Sequence, residues 1–288
     1  IDSVFNAVDG VRIAIESGLT TVDIRKESKI QTIRLRVEPN SLQLMASDLP
    51  RSAKAKYYRA TMWYPEKGWL PIKYRFRGGN IWHHLPEKPS LRLKLKKSHP
   101  VDLQRHINLI NPEDRPMVTN LLGEEVARRL GVLTHVSSFV RLFINERYFG
   151  VYHRTTREDE GMLRFNRRVP GPIYVGNQLS KNWKPEFFEV RGEVDMLGNI
   201  SPIADLVSAI DMPLGPERYS ALWNTISFEK LCGWHASMQI VGGFHTDYNH
   251  NHEYYFDPRL GLLEPITSDI NGHGMLTFPK GLDRHIGP

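Results

Sequence analysis

Val140-Arg-Leu-Phe-Ile-Asn-Glu-Arg-Tyr-Phe-Gly-Val-Tyr152 is the stretch that decides how this chain folds. Apolar and polar residues alternate on both sides of Asn145-Glu146, so 137–144 and 148–153 are expected to be two strands joined by a tight turn. Upstream, Val118, Leu121, Leu122, Val126 and Leu130 recur at helical spacing before Gly131, which predicts a helix from about Asp114 or Pro116 to Leu130. Further upstream, 20–25, 30–37, 57–64 and 70–77 alternate with period two. After an interruption at 80–89, the alternation resumes in Ser-Leu-Arg-Leu-Lys-Leu-Lys-Lys at 90–97. Leu91, Leu93 and Leu95 are expected to face a core, with Arg92, Lys94 and Lys96 on the other face. Downstream, 203–241 has a helical pattern, including 216–226 and 228–240, and a short-stranded segment rich in Gly, His and Asp follows at 242–278. Strands followed by helices predict an α+β chain: a sheet-rich lobe with one packed helix over 1–163 and a helix-rich lobe over 164–288.

The composition is that of a globular protein, since 288 residues with 40% hydrophobic and 24% charged content can build a sizeable core. A net charge of +6 favours acidic ligands such as nucleotide phosphates, anionic polymers or nucleic acid. No nucleic-acid-binding module is recognisable, so no nucleic acid partner is expected. The single cysteine, Cys232, excludes an intrachain disulfide and a multi-cysteine zinc site, and is expected to be a buried apolar filler. No run of 18 apolar residues is present, so no membrane span is expected in this chain. The start at Ile1 reads as that of a processed or trimmed piece. Internal repeats and low-complexity tracts are absent.

Ten His, Asp and Asn residues gather between Gly243 and Gly274: His245, Asp247, Asn249, His250, Asn251, His252, Asp257, Asp269, Asn271 and His273. Phosphoryl transfer needs a carboxylate beside the attacking hydroxyl, and a carboxylate plus an amide oxygen to hold magnesium; Asp247, Asn251 and Asp269 have those atoms. A zinc or iron site at His245, His250 and His252 is the alternative, although no spacing places two of these imidazoles on one helical face. A plain polar loop with caps and Asx turns is the third reading. In the first half, Arg75-Phe-Arg77-Gly78-Gly79 would let phosphates approach the backbone, or is an ordinary turn. Lys94 and Lys96 would reach a phosphate from the next strand, or form a solvated strand face. Glu124 and Glu125 would offer a helix carboxylate to such a lysine, or sit on the surface.

Several segments resemble the CotH (spore coat protein H) kinases, an atypical protein-kinase-like family. Residues 72–97 resemble that family's Arg-x-Arg-Gly turn and lysine-rich strand. Leu-Gly-Glu-Glu-Val-Ala-Arg-Arg-Leu-Gly-Val (122–132) is similar to its helix, and 140–152 to its Asn-Gly-x-Tyr-x-Gly-Val-Tyr hairpin. Thr-Asp-Tyr-Asn-His-Asn-His-Glu-Tyr-Tyr-Phe-Asp (246–257) resembles its Asp-x-x-His-Asn-Tyr segment, and 265–274 its Pro-Trp-Asp-x-Asp stretch. The resemblance covers 70–163 and 235–275.

The resemblance implies a two-lobed kinase-like fold and transfer of the γ-phosphoryl group of ATP, with Mg2+ or alternatively Mn2+, to a hydroxyl, foremost of a protein Ser or Thr. It implies Asp247 as the catalytic aspartate, Asn251 and Asp269 as metal-side groups with Asn271 beside them, and Lys94 or Lys88 as the phosphate lysine with Glu125 as its partner. Arg77 and Gly78 would lie over the phosphates, and Asp159 would fit an acidic position on the adenine side. The sequence departs from the family at Thr156, Ser268 and Asn271, where the family has glutamate, tryptophan and aspartate. Loss of a carboxylate would weaken magnesium binding. The competing expectation is therefore a catalytically weak binding module, and the resemblance leans towards a bacterial surface, spore or envelope.

Overall fold

The computed structural model describes residues 28–78, 81–85, 88–112, 118–176, 183–192, 201–243 and 250–270. The strand expected at 20–25 lies outside them. The chain packs as two compact units, Ile1–Pro112 with Ser137–Thr155, and Glu113–Val136 with Thr156–Pro288.

The first unit is a closed barrel. Its strands are β1 (Gln31–Val37), β2 (Tyr58–Tyr64), β3 (Gly68–Phe76), β4 (Leu91–Leu95), β5 (His106–Ile110), β7 (Ser137–Ile144) and β8 (Arg147–Thr156), joined in the order β1-β2-β3-β4-β5-β8-β7. Two short helices, α1 (Pro39–Ala46) and α2 (Arg51–Ala55), separate β1 from β2. Period-two alternation sends Ile33, Leu35, Met62, Tyr74, Leu91, Leu93, Leu95, Ile107, Leu109, Val140, Leu142 and Tyr152 into one core. Each fully buried large side chain there contributes about 1.5–3 kcal/mol. The β7–β8 hairpin turns at Asn145-Glu146, both with positive φ (49° and 64°), the conformation that suits a two-residue connection. The expected antiparallel sheet is corrected in one pairing: β1 pairs with β7 in parallel and closes the ring.

The second unit holds α3 (Thr119–Arg129), the helix expected to pack on the first sheet. It also carries α4 (Glu160–Phe165), α5 (Pro202–Asp211), α6 (Pro216–Trp223) and α7 (Phe228–Val241). Its sheet runs β10-β9-β11-β12-β6, from β10 (Phe188–Gly192), β9 (Pro172–Gly176), β11 (Glu253–Asp257), β12 (Leu262–Thr267) and β6 (Leu133–Thr134). Of its five strands, β11 and β12 fall in the short-stranded segment expected at 242–278, whereas β9 and β10 were not expected. Tyr174, Phe188, Ile203, Leu206, Ile226, Tyr254 and Leu263 form one core cluster, and Met238, Val241 and Ile270 another. Cys232 is exposed on α7, not a buried filler. No described helix is long and apolar enough to cross a membrane.

Candidate functional site

Antiparallel pairing of β11 with β12 sets Glu253 opposite Ile266 and Asp257 opposite Leu262. The open end of this hairpin therefore brings Asn251 and Asp269 together although 18 positions separate them, and Asn251 Nδ2 donates to Asp269 Oδ2 at 3.2 Å. Both residues have left-handed backbone, with φ of 60° and 47°. Asn and Asp tolerate that region better than other non-glycine residues, and its cost is carried by the surrounding structure. Asp269 is exposed. Its neighbour Ile270 is fully buried, and glycines make the room: a Cβ on Gly123 of α3 would stand 2.3 Å from Ile270 Cδ1, and one on Gly243 2.8 Å from Ile270 Cγ2. An exposed carboxylate next to a side-chain amide whose oxygen is not used in that bond suits a hard cation such as Mg2+. Asp247, Asn271, His245, Asn249 and His273 lie outside the described residues.

His252 belongs to an aromatic box. Its ring centroid is 4.9 Å from Trp183 and 5.6 Å from Trp234, it stacks on Tyr254, and its Nδ1 lies 3.3 Å from the Tyr254 hydroxyl. Burial, helped by repulsion from His250, pushes its pKa down to about 4, so the ring is neutral at pH 7.

In the barrel unit, Gly78 has φ of +104°, and a Cβ there would lie 2.0 Å from His83 Cδ2. Only glycine fits both the backbone and the space. The Arg77 N–H donates to Ser90 O at 2.8 Å and the Ser90 N–H to His83 O at 2.8 Å, which staples the turn. Lys88 runs beside Gly150, with Nζ 5.3 Å from the Tyr152 ring centroid, and burial lowers its pKa. The Tyr152 hydroxyl is buried with no hydrogen-bond partner among the described residues.

Lys94 is placed differently. It projects from the outer face of β4, between Lys73 of β3 and His106 of β5, with Nζ 5.5 Å from the Tyr57 ring centroid. It lines a cavity of about 900 Å3 with Arg36, Arg59, Lys73, Lys96 and Arg105.

Glu125 is occupied on its own helix, bonded to Arg128 (2.5 Å) and Arg129 (2.8 Å); the Arg129 bond above all holds its carboxyl below the usual range. Its neighbour Glu124 is buried. Asp159 caps α4, accepting from the Gly161 N–H at 3.0 Å.

Sequence reasoning missed a buried cluster around His135, just past β6. Its Nε2 lies 3.5 Å from Glu253 Oε2, 3.8 Å from Glu158 Oε1 and 3.3 Å from Ser268 Oγ. Its Nδ1 lies 3.0 Å from Thr156 Oγ1. The remaining Glu158 oxygen accepts from Arg191. Burial opposes a charge on His135, but the hydrogen bond and the charge of Glu253, with Glu158 and Glu124, push its pKa up to about 9. Burial and the Glu158 charge raise that of Glu253. The only signal in the sequence is Glu253, a charge immediately before the aromatic run Tyr254-Tyr255-Phe256.

The family model described as CotH kinase protein matches residues 74–275. No curated protein matches the chain.

Proposed function

Because the chain belongs to the CotH kinase protein family, we propose that it is a phosphotransferase that moves the γ-phosphoryl group of Mg-bound ATP to a hydroxyl, foremost that of a protein Ser or Thr. The observation that carries this reading is the Asn251–Asp269 pair, an amide and a carboxylate held together in left-handed backbone at the open end of a hairpin. Strained polar residues of this kind concentrate at functional sites.

Asp269, with the Asn251 amide oxygen and Asn271, would hold Mg2+, which supplies charge neutralisation on the phosphate oxygens. Asp247 would orient the acceptor hydroxyl and take its proton as the new O–P bond forms and the bond to the β-phosphate oxygen breaks, releasing ADP. Lys88 is the better phosphate lysine of the two considered. Its partial burial strengthens its field, whereas Lys94 opens onto a basic groove on the barrel's outer face. Burial likewise favours Glu124 over Glu125 as the helix carboxylate, because Glu125 is already paired with two arginines. Arg77 and Gly78 would pass over the phosphates. Asp159 is accounted for as a helix cap.

Binding of ATP followed by thermal shift with and without Mg2+ tests the reading. The expected result is a metal-dependent stabilisation in the wild type that Asp269→Ala abolishes. No shift at millimolar nucleotide would leave the weak binding module, a reading that Thr156 supports by occupying the family's glutamate position.

A further inference from the structure

We propose that His135, Glu158 and Glu253, with the Ser268 hydroxyl at the fourth corner, form a buried site for one divalent transition ion, Zn2+ foremost, beside the residues proposed to hold Mg-ATP but sharing none of them. These three ionisable side chains offer ligand atoms that all lie within 4.8 Å of one another, and all three residues are buried. The contacts around Nε2 are looser than strong hydrogen bonds and close to the spacing of ligands that share an ion. From Nε2, the three oxygens lie at 3.3, 3.5 and 3.8 Å, all longer than a good charge-assisted hydrogen bond. Four ligands around a tetrahedral Zn2+ at about 2.1 Å stand about 3.4 Å from one another.

The groups behind the cluster aim it. His135 Nδ1 lies 3.0 Å from Thr156 Oγ1; with the proton on Nδ1, the Nε2 lone pair would face the two carboxylates. Arg191 binds Glu158 Oε2 and leaves Oε1 facing His135. An orienting partner behind each ligand is the usual construction of a metal site. Glu253 Oε2 is buried and lies 3.5 Å from His135 Nε2. The Arg191 guanidinium is shared between Glu158 and Glu189. A metal ion at the centre would take the place of any proton on His135, because metal ligands must be deprotonated. The ion would tie the residue after β6, the β8–α4 connection, the first residue of β11 and the residue after β12 into one knot. Its function is structural, because the ligands are buried.

The test is metal content of the full chain, stripped with chelator, reloaded with Zn2+ and dialysed. About one ion per chain is expected in the wild type and equally in Asp269→Ala. Glu253→Gln and His135→Ala should lose it, and Thr156→Val should weaken it about 10- to 100-fold. Co2+ added to the stripped wild type should give the strong visible bands of a four-coordinate site, which keeps the test valid where a variant fails to fold. Absence of retained zinc and of the cobalt bands would overturn the site and leave an ion-pair cluster. Loss of the ion in Asp269→Ala alone would overturn it too, by assigning the metal to the nucleotide site.

Discussion

Asn251 donates its amide to Asp269 across the open end of the β11–β12 hairpin, and both residues hold φ between 47° and 60°. The backbone and the side chain of Asn251 therefore do two separable things. Asn251→Gly should keep or slightly raise thermal stability, because glycine is at ease at positive φ, while losing Mg-dependent ATP binding by 10-fold or more. Asn251→Ala should lose both, with about 1–2 kcal/mol of stability. An Asn251→Gly protein that binds Mg-ATP like wild type would remove the amide from the metal side.

The two lysines separate in the same assay. Lys88→Met should weaken ATP at least 10-fold, whereas Lys94→Met should change it less than 2-fold, as read by titration with a fluorescent ATP analogue. The reverse pattern would move the nucleotide to the outer face of the barrel.

Gly123 lies on α3 against Ile270, the residue after Asp269. Gly123→Ala gains about 1 kcal/mol of helix propensity but forces a methyl into buried Ile270, an overpacking cost of about 1–3 kcal/mol. The expected balance is a lower melting temperature together with weaker Mg-ATP binding. A more stable protein with unchanged binding would show that Ile270 yields without moving Asp269.

Asp102 in the barrel unit accepts from the Tyr64 hydroxyl and from Arg154, each at 2.6 Å. Burial works against its charge, but the Tyr64 and Arg154 hydrogen bonds and the Arg154 charge hold its carboxyl below the usual range. A depressed carboxyl contributes stability above its unfolded value of about 3.9 and loses it as pH falls through the folded value. The side chain is 44% exposed, so the contribution is below about 1 kcal/mol. Asp102→Asn should be slightly less stable at pH 7 and less sensitive to acid below pH ~4 in urea melts.

Local pattern made much of this legible. Leu91, Leu93 and Leu95 alternate into the core, and Asn145-Glu146 turns the hairpin. The α1 helix was hidden because Pro39–Ala46 is short and buries only Ser41 and Met45. Pairings between distant segments leave no local trace, so neither the barrel closure nor the strand order of the second sheet could be read. In the candidate site, Asn251 and Asp269 were legible by type and order, but their meeting depends on the register of β11 and β12. Lys88 and Lys94 could be told apart only by burial, and the His135 cluster assembles residues with no motif spacing.

The parallel pairing of β1 with β7 runs from Gln31 against Val140 to Leu35 against Ile144. On the ribosome, β1 is complete about 100 residues before its partner exists, a wait of roughly 5–20 s at ordinary elongation rates. During that time one edge of the nascent sheet has its peptide groups unpaired, the arrangement most prone to joining a neighbouring chain. Arg34 and Arg36 on β1 place like charges along that edge. Slow, cool expression with a holding chaperone is therefore expected to raise the soluble yield of this protein.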